Sequence, residues 1–292
     1  MEKEKLNIGG QAVIEGVLIR SPNYFSIAVR KPDGKISVKR EKIMSSRSMI
    51  ARLFFIRGIV ALYETLIIGF KAIMHSANES TGEEEKLGKK EVALTVFVSV
   101  IFAIILFIGI PFYLSTLVYK NNSLMFNIAD GILRAAIFVI YIAAISLLPD
   151  VKTMFRYHGA EHMAIHAYEA GKKMEVKEVR KFETMHPRCG TSFLLFVLLL
   201  SIMVFSAVTS NNIAIKFISR IILLPAIAGL SYELLKFSAK HKNNIILRIV
   251  VLPGLMLQKI TTKIPTDKQI EVAIASLKDV VETENLNNAK RN

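Results

Sequence analysis

The densest run of chemistry-bearing side chains is Tyr157-His158-Gly159-Ala160-Glu161-His162-Met163-Ala164-Ile165-His166. On a helix His158, His162 and His166 share one face, at i, i+4 and i+8, with Glu169 a turn further along it. Two imidazoles one turn apart can each give a nitrogen to a divalent ion such as zinc. The order His-x-x-Glu-His also matches the short inverzincin pattern, whose glutamate is a general base, so Glu161 is the candidate base. The plainer reading is an amphipathic helix whose imidazoles pair with carboxylates or lipid phosphates. A second set of donors follows in His186-Pro187-Arg188-Cys189-Gly190-Thr191-Ser192. Its alternative is a turn capped by Thr191 or Ser192, with Cys189 an inert small residue. Glu233 is a further candidate, because a carboxylate next to hydrocarbon is costly without a partner; a salt bridge is its plainer role. The expected cofactor is therefore a divalent metal, zinc foremost, on His158, His162 and Cys189, with His166, His186 and Glu233 as further ligands.

These residues need a scaffold, and the composition says which kind. Of 292 residues, 52% are hydrophobic and only 21% are charged, with a mean hydropathy of +0.41, too apolar for an ordinary soluble domain. Yet 38 Lys and Arg stand against 24 Asp and Glu, a formal charge of +14. Each cation left in hydrocarbon costs about 2.5–3.5 kcal/mol, so most of that charge must face water. The single cysteine excludes an internal disulfide. The N-terminal residues lack the apolar core of a secretory signal, so no cleaved leader is expected.

Four apolar runs are long enough to cross a bilayer. The first is 92–119, tilted or kinked at Pro111. The second, about Ile128 to Pro149, has Arg134 near its start, where the side chain reaches the headgroups. The third runs from Thr191 to about Thr209 and the fourth from about Ile213 to Phe237. Lys and Arg number 16 in residues 1–91, eight in 150–190 and ten from 236 onward, whereas Lys120 alone lies between the first two runs. Basic loops translocate poorly, so both termini and the central loop are expected in the cytoplasm of a bacterial inner membrane. Residues 49–75 are a fifth candidate. Their charges Arg57, Glu64 and Lys71 recur every seven residues on one stripe, which suits an interfacial helix or one that turns this stripe to a partner.

The fold class that follows is membrane α-helical, with about four transmembrane helices, a small N-terminal β-hairpin unit, an interfacial helix and a cytosolic His-rich loop helix. Its segments are a strand-rich unit (1–48), the interfacial helix and a linker (49–91), a first helix pair (92–149), the His-rich loop (150–190), a second pair (191–237) and a cytosolic C-terminal segment (238–292). In the first segment, 24–30 and 35–39 flank the turn Lys31-Pro32-Asp33-Gly34, and 12–19 reads as a third strand. In the last, Thr266 to about Val281 reads as a short amphipathic helix, with the final ten residues disordered.

Several stretches resemble a bacterial YqhQ-type membrane family: Gly9-Gly10-Gln11-Ala12-Val13-Ile14-Glu15-Gly16-Val17, Arg57-Gly58, Tyr157 to His162, His186 to Phe193, Ser231-Tyr232-Glu233, and Pro253-Gly254-Leu255 through Gln258, Thr261 and Thr262. The resemblance covers roughly residues 7 to 280. It implies a multi-pass bacterial membrane protein of unknown function, often labelled a predicted metal-dependent enzyme. Where the family motif reads Thr-Thr-Arg-Glu-Pro, this chain has Thr261-Thr262-Lys263-Ile264-Pro265, so position 264 carries no catalytic carboxylate.

Two functions from different classes fit. One is a metal-dependent enzyme, a hydrolase in type, at the cytoplasmic membrane face, with Glu161 polarising water and a lipid-linked or membrane-peptide substrate. The other is a non-enzymatic accessory or scaffold protein of a membrane complex, suggested by the wide spread of polar motifs. Transport ranks third, since no span is read as carrying a mid-depth charge. Membrane lipids and another membrane protein or complex are the expected partners; nothing in the sequence suggests specific nucleic-acid recognition.

Overall fold

The computed structural model describes residues 6–43, 53–81, 88–119, 123–187, 189–210, 212–240 and 244–289. The chain opens with an antiparallel meander of four strands, β1 (Gly9–Val13), β2 (Gly16–Arg20), β3 (Tyr24–Arg30) and β4 (Ile36–Lys42), in the order β1-β2-β3-β4. The expected hairpin is present as β3 and β4, with Ala28 opposite Val38. The stretch read as one strand, 12–19, is instead the end of β1 and most of β2, folded back at Ile14-Glu15. Glu15 takes a left-handed φ of 48°, and Gly16 lets β2 approach the Ala28 carbonyl, where a Cβ would overlap it.

Twelve helical segments follow among the described residues. They are α1 (Ile56–Thr81), α2 (Lys89–Ile104), a π-helical turn (Ile105–Gly109), α3 (Ile110–Val118), α4 (Ser123–Ile145), α5 (Pro149–Glu169), α6 (Val176–Val179), α7 (Gly190–Ser206), α8 (Ile213–Ile222), α9 (Leu224–Lys240), α10 (Ile245–Thr261) and α11 (Asp267–Ala289). Both faces of the sheet are buried, so successive β2 residues serve opposite sides. Val17 and Ile19 join Tyr157, Ala160 and Ala164 of α5 and Ile270, Ala273 and Leu277 of α11. Leu18 instead joins Phe25, Ile27 and Val29 against Ile68 and Ala72 of α1. The sheet is thus a middle layer between α1 on one side and α5 with α11 on the other.

Helix α11 is longer than the sequence suggests. Thr266 and Gln269 start it as a capping box, with Thr266 N donating to Gln269 Oε1 at 2.9 Å and Gln269 N to Thr266 Oγ1 at 3.4 Å. It continues through 289 because its polar tail has a partner: buried Glu284 accepts from Ser21 Oγ (2.6 Å), Asn23 N (3.2 Å) and Asn23 Nδ2 (2.5 Å). Of the ten residues expected to be disordered, only 290–292 lie outside the described part.

Among the described residues, two helices are long and apolar enough to cross a membrane, Lys90–Val118 and Leu124–Ile145. Helices α8 and α9 meet that test together, bent by 46°, and α7 is apolar but shorter at 17 residues. Just before Pro111, where the sequence suggested a tilt or kink, lies a π-helical turn, Ile105–Gly109. Arg134 does not reach outward as expected. It is buried and ion-paired with Asp130, one turn earlier on α4, so the apolar run does carry charge. In α1, Arg57 pairs with Glu233, Glu64 with Arg20 and Lys71 with Glu41. The charged stripe therefore turns to partners, leaving Leu66, Phe70 and Ile73 exposed; residues 49–52 of the expected helix lie outside the described part.

Candidate metal centre

Helix α5 turns its histidines toward the 184–189 segment that leads into α7 and toward the end of α10. His158 Nδ1 lies 2.8 Å from the Thr261 carbonyl, His162 Nδ1 2.5 Å from that of Thr184, and His166 Nε2 2.8 Å from that of Met185. A carbonyl only accepts, so each of these nitrogens carries the ring proton, and in the neutral ring the other nitrogen carries the lone pair, which in His158 faces the Cys189 thiol. This is how metal-binding imidazoles are held in protein sites, with one nitrogen anchored and the other presented.

The presented atoms converge. His158 Nε2 is 3.2 Å from Cys189 Sγ, close to the roughly 3.5 Å that separates a nitrogen and a sulfur on one tetrahedral zinc. Among the described residues, donor atoms of His158, His162 and Cys189 all lie within 4.8 Å of one another, as do those of His166, Glu169 and His186. The two groups adjoin: ring centroids are 4.4 Å apart for His158 and His162, 5.7 Å for His162 and His186, and 4.5 Å for His166 and His186. Two imidazoles and a thiol form a donor set that suits zinc, and the geometry of the first group fits that ion.

Local sequence explains each placement. Cys189 is the N-cap of α7, its sulfur accepting from Thr191 N and Oγ1 at 3.5 and 3.3 Å. His186 is clamped by Gln258 of α10, whose amide oxygen accepts from His186 N (2.8 Å) and whose nitrogen donates to His186 O (2.9 Å). Gly159 lies against the Lys263 carbonyl, which a Cβ would overlap. Lys263 N meanwhile bonds to Phe155 O at 2.9 Å, locking the chain after α10 onto α5.

Glu161 points to the other side of the centre, toward β1. It is buried, with Oε2 3.5 Å from His162 Nε2. Burial pushes its carboxyl up to about 7, against the opposing pull of His158 and His186. A Cβ at Gly10 would come within 2.7 Å of Glu161 Oε1 and 2.6 Å of the Leu18 carbonyl, so this glycine leaves the carboxyl its room. Burial also holds His162 and His166 below the ordinary histidine value, favouring the neutral form that ligates metal.

Of the residues expected from sequence, His158, His162 and Cys189 come together, His166 and His186 form the second group, and Glu161 lies beside them. Glu233 joins neither group: Arg57 grips its carboxylate in a bidentate pair. Glu169 was legible as lying on the histidine face but not as a ligand candidate, and Gln258 was visible as part of a motif without a role. The Gly10 contact to Glu161 joins positions too far apart in sequence for any local pattern to reveal it. Arg188 lies outside the described residues.

A family model described as "Protein of unknown function (DUF1385)" matches residues 53–283. The chain is 31% identical over 299 residues to the "Uncharacterized protein YqhQ" of Bacillus subtilis (strain 168), an alignment covering 95% of this chain and 93% of that protein. No solved structure matches.

Proposed function

The chain belongs to the DUF1385 family, and on that premise we propose that it is a multi-pass inner-membrane, metal-dependent enzyme acting at the cytoplasmic face. The observation that carries this reading is the convergence of His158, His162 and Cys189 beside the buried carboxyl of Glu161. In this reading α7 and the bent α8–α9 pair join the two longer helices as spans, and the distribution of Lys and Arg puts both termini and α5 inside.

His158 and His162 would hold the ion through Nε2 and Cys189 through Sγ; His166, Glu169 and His186 are donors for a second ion beside it. A divalent ion bound there supplies Lewis acidity to an oxygen of the substrate or of water. The residues do the rest. The carbonyls of Thr261, Thr184 and Met185 fix the ring tautomers, and the Gln258 clamp holds His186 on its group. Glu161, protonated up to about pH 7, is poised to take or give a proton at its carboxyl near neutrality, as hydrolysis requires. A centre beside apolar helices favours a lipid-linked or membrane-peptide substrate.

The second reading, an accessory protein of a membrane complex, draws on the exposed apolar face of α1 at Leu66, Phe70 and Ile73. Glu161→Gln separates the two. In cells dependent on this protein, the enzyme reading expects Glu161→Gln to abolish function while the purified variant keeps its metal and its fold. Full function in the variant would leave the accessory reading in its place.

A further inference from the structure

The membrane-type helices bury three cations around one carboxylate. Asp130 and Arg134 of α4 are 0% and 8% exposed, and Lys216 and Arg220 of α8 are 2% and 0% exposed. Asp130 Oδ2 lies 2.8 Å from Arg134 Nη2 and 3.2 Å from Arg220 Nη2, bridging the two guanidinium groups. Arg220 also donates to Asn127 Oδ1 at 2.7 Å, amid the rings of Phe112, Phe126 and Phe205. The Lys216 ammonium sits 4.3 Å from the Phe126 ring centroid. Arg134 Nε is buried without an acceptor. Cations in excess of carboxylates in such surroundings are unfavourable until an anion joins them.

Next to Arg134 is a cavity of about 380 Å³, bounded by Val100 of α2, Phe107 of the π-helical turn, Phe138 of α4 and Leu194 and Leu198 of α7. Its polar groups are Arg134 and Ser201, whose Oγ lies 3.5 Å from Arg134 Nη1. A hydrocarbon slot ending at an under-neutralised cation matches a molecule with an acidic head and an apolar chain, not a small hydrophilic ion. Lys216 and Arg220, one turn apart on α8, continue the polar track from that helix's early turns toward Arg134, midway along α4.

We infer that this is a binding site for an acidic phospholipid, its phosphate neutralising the Arg134, Arg220 and Lys216 cluster and one acyl chain filling the cavity. The inference rests on the membrane reading above and is independent of the metal centre.

The test is the lipid retained by full-length protein reconstituted in vesicles of mixed phosphatidylglycerol and phosphatidylcholine, re-extracted in a neutral detergent and analysed by native mass spectrometry. The wild-type protein should retain about one phosphatidylglycerol per chain. Lys216→Met, which keeps the Asp130 bridges, and Leu198→Trp, which fills the cavity, should each lower retention at least fivefold, with elution profile and metal content unchanged. If Lys216→Met fails to fold, Leu198→Trp decides. Equal retention in wild type and Leu198→Trp, retention of phosphatidylcholine alone, or an inorganic phosphate adduct in place of lipid would each overturn the inference. Protein that stays monodisperse in water without detergent would instead overturn the membrane reading.

Discussion

His158, His162 and His166 each have one ring nitrogen tied to a backbone carbonyl, so as metal ligands they would act as a unit held by their surroundings. His158→Ala and His162→Ala should each remove most of the bound metal, and the double variant should be little worse than either, because ligands of one site are strongly non-additive. Metal content per chain checks this; independent, additive losses would mean that the two imidazoles do not share an ion. Glu161 makes a separate prediction on metal-stripped protein. In the fold its carboxyl keeps a proton to about pH 7, whereas in the unfolded chain it loses it near pH ~4.3. Between these values folding takes up a proton, so this group's contribution to stability falls as pH rises. Glu161→Gln cannot titrate and should therefore gain in unfolding temperature relative to wild type across that window, with a constant difference above it. A difference that is flat throughout would mean that Glu161 is not held protonated. The histidines were legible in sequence because their spacing is a property of one helix. Glu161's environment was not, since the neighbour that makes room for it is Gly10, across the fold on β1.

Helix α5 can present its histidines only because three other elements meet it: the sheet behind, the 184–189 segment in front, and the end of α10 alongside. The Gln258 clamp is the clearest case. Gln258→Ala would leave a buried N–H and C=O of His186 without partners, a loss of about 1–3 kcal/mol for each such group. A drop in unfolding temperature with weakened metal retention is expected, and an unchanged protein would show that the clamp is not needed. Helix α11 gives a second element-scale prediction. Ending the chain after Val281 removes Glu284 and its three bonds to Ser21 and Asn23, so the sheet should loosen and the unfolding temperature fall. A truncation without effect would restore the reading of a disordered tail. β3, β4, α5 and the start of α11 are legible in the sequence because turn residues and helical period are local signals. The turn at Ile14-Glu15 is not, since it has no glycine or proline at its centre. Nor is the end of α11, whose polar residues are held by a partner more than 250 positions away.

In the whole molecule, one core joins the N-terminal sheet, the central α5 and the C-terminal α11, so these three elements must lie on the same side of any membrane that the apolar helices cross. That agrees with the distribution of Lys and Arg, and it makes the topology testable. In a Cys189→Ser background, a cysteine placed at Lys173 should react with an impermeant reagent only after the membrane is opened; labelling in intact cells would reverse the orientation. The apolar runs were plain in the sequence. Their buried charges are harder to read: Asp130 and Arg134 are four residues apart and so one helical turn apart, but that Asp130 also bridges to Arg220 of α8 is a contact between distant helices that no local pattern shows. Whether the α5 histidines hold a metal is decided by elemental analysis of full-length protein purified in mild detergent without added metal. Zinc or another transition metal at one or two ions per chain, lost in His158→Ala, is expected; wild-type protein that is metal-free, yet restores function when returned to cells treated with chelator, would rule the metal centre out.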